Sequence, residues 1–66
     1  MQISVNGKDR EVAAGISVAE LLSELDLDSV RVALELNRKL VTRKDHPTTL
    51  LSEGDHLEIV TLVGGG

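Results

Sequence analysis

Cysteine is missing from this 66-residue chain, as are phenylalanine, tyrosine and tryptophan, and proline occurs once. Without cysteine there are no disulfide staples and no thiolate ligands, so a chain this short must hold its fold with an apolar core alone. Without aromatic rings it lacks the platforms on which single-stranded nucleic acid stacks and the usual anchors of a self-sufficient binding surface. Eleven acidic residues against seven Lys and Arg leave a net charge of −4, which repels phosphate backbones, so nucleic acid is not an expected partner. No apolar run approaches membrane-spanning length, and Met1 leads into a polar-apolar alternation rather than into a basic segment with an apolar stretch behind it. The expectation is a soluble, cytoplasmic protein without membrane contact.

What the chain does have is Leu, Ile and Val in two periodicities. Ile3 and Val5 alternate with polar residues, and Val12 and Ala14 resume the alternation, which predicts a hairpin. Asn6-Gly7 suggests the turn, but a turn centred on Gly7-Lys8 places Val12 opposite Ile3 and leaves Arg10 at the turn end, and that register is the one expected. Ser17 followed by Glu20 forms a capping box, and Ile16 can fold onto Leu21 as a hydrophobic staple. Val18, Leu21, Leu22 and Leu25 then make one stripe of a short helix ending near Asp26 or Leu27.

Val30, Val32, Leu34 and Leu36 alternate as a strand with one face buried. Asn37-Arg38-Lys39 reads as a turn into a short strand at Leu40-Val41. Thr42 to Thr49, with Pro47 inside it, reads as loop. Leu50 and Leu51 return to the core, Glu53-Gly54-Asp55 turns, and residues 57–63 form the last strand. With one helix and one sheet, the helix covers a single face. Leu57 and Ile59 are expected to meet it, leaving Val60 and Leu62 as an exposed apolar pair that a partner protein can grip.

The chain closes on Gly64, Gly65 and Gly66, which cost backbone entropy and offer no side chain to bury. No Ser-His-Asp order, phosphate loop or metal-ligand spacing is present, and His46 and His56 read as surface histidines. Arg38, Lys39, Arg43 and Lys44 form a local basic cluster, read either as a solvated edge that discourages strand pairing or as a contact with an acidic partner. Glu20, Glu24, Asp26 and Asp28 read as the wet side of the helix.

Glu35-Leu36-Asn37, Leu51, Gly54-Asp55, Leu57 to Val60, Thr61, Val63 and the three terminal glycines, in this order, together with Asn6-Gly7 and the Val18 to Leu22 helix start, resemble the sulfur carrier family of thiamine biosynthesis, the ThiS family. The resemblance runs the whole length. It departs at Arg38-Lys39, where the family often has a glycine or an acidic residue, and at Asp45-His46-Pro47. It implies an α+β fold of the ubiquitin-like β-grasp type: a mixed, mainly antiparallel sheet with one helix on one face, spanning residues 1–63, and a flexible tail at 64–66.

The resemblance also implies that the carboxylate of Gly66 is the reactive group. An E1-like adenylyltransferase of the ThiF type would adenylate it with ATP and Mg²⁺, and a cysteine desulfurase or other persulfide donor would supply sulfur. The resulting thiocarboxylate would serve thiazole synthase of the ThiG type. The carrier itself would be no enzyme and would bind no cofactor or metal. The physical reason for glycine is that a tail without Cβ atoms threads a narrow channel and accepts any backbone angle imposed there. Two alternatives stand beside this reading: the small subunit of a molybdopterin synthase, whose chains tend to be longer and to contain aromatic residues, and a β-grasp interaction module without carrier chemistry.

Overall fold

The computed structural model describes residues 1–62. Its elements are β1 (Gln2–Val5), β2 (Lys8–Glu11), α1 (Val18–Glu24), a 3₁₀ turn (Ser29–Arg31), β3 (Val32–Leu36), β4 (Lys39–Val41), a second 3₁₀ turn (Arg43–Asp45) and β5 (His56–Thr61). The sheet order is β2-β1-β5-β3-β4. Only β1 and β5 run parallel among these neighbours; the other three pairs are antiparallel. The last strand in sequence is therefore the central strand in space.

The first hairpin turns at Asn6-Gly7, which corrects the expected register: Ile3 faces Arg10 and Val5 faces Lys8. Asn6 and Gly7 have φ of 53° and 83°, the left-handed angles that a two-residue turn of matching twist requires. The deciding contact comes from far along the chain. The Asn6 side chain donates from Nδ2 to the Ile59 carbonyl at 3.1 Å and accepts from the Ile59 amide at 2.7 Å, clipping the hairpin end to β5. Arg10 thus shares a face with Ile3 instead of lying at the turn end, and its guanidinium reaches Glu24 of α1 at 3.6 Å. Val12 is buried just beyond β2, its amide bonded to the Met1 carbonyl, whereas Ala14 is exposed in the following turn.

Helix α1 begins as the local pattern dictates. Ser17 Oγ accepts from the Glu20 amide at 3.0 Å and Glu20 Oε1 accepts from the Ser17 amide at 2.9 Å. The amides of Val18 and Ala19 donate to the carbonyls of Thr49 and His46, so the following loop completes the cap. The helix ends earlier than expected, at Glu24, because Asp26 enters the left-handed region at φ 58°. The Leu27 amide then bonds the Leu22 carbonyl and the Asp26 amide bonds the Ser23 carbonyl, a Schellman closure with aspartate in the usual glycine position. Val18, Leu21 and Leu22 are buried against Ile3, Leu34, Leu57 and Ile59, and burial of such side chains contributes about 2 kcal/mol each.

Three further expectations are corrected. Val30 belongs to the first 3₁₀ turn and is exposed, since Asp28 caps that turn through the Val30 amide and delays β3 to Val32. Only Leu51 of the Leu50-Leu51 pair is buried; Leu50 bridges to Ser17 with its side chain outward. Finally, His46 is not a surface residue. It is 1% exposed, with Nδ1 2.9 Å from Ser29 Oγ and Nε2 3.1 Å from the Val41 carbonyl. A carbonyl can only accept, so Nε2 carries the hydrogen of that bond. The histidine therefore pins the loop to both the first 3₁₀ turn and β4.

Candidate functional site

Strand β5 carries the features singled out in the sequence. Leu57 and Ile59 face the helix and are 1% and 8% exposed, while Val60 and Leu62 are 60% and 52% exposed. The strand ends at Thr61, opposite Val32, and the Leu62 amide still bonds the Arg31 carbonyl at 2.7 Å. The segment leading to the glycines is thus held by β3 and the 3₁₀ turn up to its last described residue. Val63, Gly64, Gly65 and Gly66 lie outside the described residues, and with them the reactive end and the last part of the expected strand.

On the open side of the sheet, Val60 lies opposite Ala33, Glu58 opposite Glu35, and Glu35 opposite Leu40, which is 65% exposed. Leu40 therefore joins Val60 and Leu62 as an exposed apolar residue on that side. Sequence reading missed it because a three-residue edge strand gives too short an alternation to assign a face. On the helix side a shallow groove beside the end of β5 is lined by Val5, Asn6, Leu25, Leu27, Ile59 and Thr61.

The basic cluster is not one patch. Arg38 and Lys39 lie at the β3–β4 turn, Arg43 and Lys44 lie in the second 3₁₀ turn, and β4 runs between the pairs. Arg38 occupies φ 71°, the turn position where glycine has no steric cost. The acids near the helix do more than face water: Glu20 caps it, Glu24 meets Arg10, and Asp28 caps the next turn. His46 and His56 do not meet, the first being buried under the loop and the second exposed at the start of β5. No group of three His, Asp or Glu that would hold a metal occurs among the described residues, and no helix there is long and apolar enough to cross a membrane.

With this geometry in hand, the comparisons with known proteins are decisive. The model of the ThiS family matches residues 3–66. The chain belongs to the ThiS family. It is 33% identical over 66 residues to the sulfur carrier protein ThiS of Escherichia coli K12, covering all of both chains. The crystal structure of the thiamine biosynthesis protein ThiS from Geobacter metallireducens superposes with a TM-score of 0.85 at 36% identity, again over all of both chains. The ubiquitin-like β-grasp fold expected from the sequence is borne out by that match. A thiazole synthase of Paramagnetospirillum magneticum is 39% identical over 66 residues, but there the chain spans only 20% of the relative's length. A ThiS-like segment is thus part of a longer thiazole synthase polypeptide in that organism.

Proposed function

We propose that this chain is a sulfur carrier of thiamine biosynthesis whose Gly66 carboxylate becomes a thiocarboxylate. The observation that carries the reading is the end-to-end match to the E. coli sulfur carrier protein ThiS, glycine terminus included. A terminal carboxyl is ionised near neutral pH and so is a competent nucleophile toward the α-phosphorus of ATP. An E1-like adenylyltransferase of the ThiF type, using Mg²⁺, joins carboxylate oxygen to that phosphorus and releases pyrophosphate. The outer sulfur of a persulfide, supplied by a cysteine desulfurase or similar donor, then attacks the acyl carbon and AMP leaves. Cleavage of the resulting acyl disulfide by a thiol frees the thiocarboxylate, which thiazole synthase of the ThiG type accepts.

Within this scheme the folded body supplies recognition and the glycines supply reach. Gly64 and Gly65 let the end enter an enclosed site, where a misplacement of about 1 Å costs on the order of a hundredfold in rate. Val60 and Leu62 offer an apolar grip beside the root of the tail. The chain itself performs no step as catalyst.

The test is intact mass after incubation with ATP, Mg²⁺, the activating enzyme and a persulfide donor. Exchange of one oxygen for one sulfur, located at Gly66, is expected. An unchanged mass with an enzyme shown to load another ThiS protein would refute the reading. Removal of Gly66 is expected to abolish loading while leaving the thermal midpoint unchanged.

A further inference from the structure

The hairpin register sorts every charge in the strands by face. Lys8 and Arg10 share the helix side with Val5 and Ile3, and Lys39 shares it with Leu36. All strand carboxylates fall on the other side: Asp9 opposite Ser4, Glu11 opposite Gln2, and Glu35 opposite Glu58. Glu11 is engaged by the Met1 ammonium at 2.9 Å. Glu35 and Glu58, both exposed at the centre of the sheet, make no ion pair and no side-chain hydrogen bond among the described residues.

Like charges placed directly opposite on neighbouring strands destabilise a sheet. Here the pair is bordered by Leu40 on β4 and by Ala33 and Val60 in the next row, so the face combines exposed apolar surface with concentrated negative charge. Such a face complements a partner surface of apolar side chains around a cation. Arginine suits it best, since its fork can bond two carboxylates at once while its stem covers neighbouring Leu and Val. A second, independent observation points to the occupant. In Paramagnetospirillum magneticum and Magnetococcus marinus a homologous segment forms 20% of a thiazole synthase chain, making the synthase its permanent neighbour.

We propose that the open face of the sheet is the docking surface for thiazole synthase and that Glu35 and Glu58 together receive one arginine or lysine of that partner. The inference rests on the sulfur-carrier reading and adds to it the chemistry of recognition. It also accounts for a repulsive pair at the middle of the sheet, because the partner's cation relieves in the complex what the free protein tolerates.

The experiment compares the wild-type chain, the double variant Glu35→Gln/Glu58→Gln and the single variant Asp9→Asn for association with thiazole synthase of the same organism, at low and high salt. The double variant is expected to keep or raise the thermal midpoint and to associate about tenfold more slowly at low salt, as loss of steering charges does. The gap should close at about 0.5 M salt, where charges are screened within a few ångströms. Asp9→Asn should stay within about twofold of wild type, because its charge lies outside the pair. Equal association rates for wild type and the double variant, or an equal slowing by Asp9→Asn, would overturn the proposal. Sulfur loading at Gly66 is read independently by mass. A chain that loads normally yet ignores the glutamine changes keeps its function and loses only this inference.

Discussion

Replacing Asn6 by glycine removes the clip between the first hairpin and β5 while keeping the left-handed backbone the turn needs. Two hydrogen bonds disappear, and the amide and carbonyl of Ile59, in a strand residue that is 8% exposed, lose their side-chain partners. At about 0.5–1.5 kcal/mol net per bond the loss is about 1–3 kcal/mol. Glycine also relieves some strain at φ 53° and adds unfolded-state entropy; these two effects oppose each other. A domain of this size has a total stability of about 3–10 kcal/mol, so the change is a large share of it. With no tyrosine or tryptophan for fluorescence, urea unfolding is followed by circular dichroism. A slope of about 1 kcal/mol per molar urea puts the fall in midpoint at about 1–3 M. Hydrogen exchange at the Ile59 amide supplies the local readout, with protection expected to drop more there than at Leu34. An unchanged midpoint together with an unchanged Ile59 exchange rate would refute the assignment of this side chain as the determinant of register.

Other perturbations follow from the same structure. Arg38→Gly removes a side chain from φ 71° and is expected to raise stability by about 0.5–1 kcal/mol, visible as a higher thermal midpoint. Ser17→Ala deletes half of the capping box and should cost about 1 kcal/mol, measured by urea unfolding. His46→Leu keeps the bulk but leaves the Val41 carbonyl and Ser29 hydroxyl without their ring partners, for a loss of about 1–3 kcal/mol. The Ala19 amide, bonded to the His46 backbone, should then exchange faster as the loop loosens.

What the sequence revealed was what neighbouring residues decide among themselves. The start of α1 was legible because Ser17, Glu20, Ile16 and Leu21 specify it within six positions, and the two faces of β5 were legible because period two admits no third choice. The hairpin register was misread because its determinant, Ile59, lies on another strand far along the chain. His46 was misread for the same reason: its partners Ser29 and Val41 come from two other elements, and a polar residue in a loop carries no local mark of burial. Of the candidate site, the glycines and the Val60 and Leu62 pair were visible in the sequence. The contribution of Leu40 and the opposition of Glu35 to Glu58 emerged only once strands were paired.

The central position of β5 has a mechanical consequence. A catalyst that draws this terminus into its channel pulls along the axis of a strand flanked on both sides, by β1 in parallel and by β3 in antiparallel alignment. Force applied that way shears both ladders at once instead of peeling them open rung by rung. The anchorage can withstand a firm tug at its free end, as an edge strand in the same sheet could not.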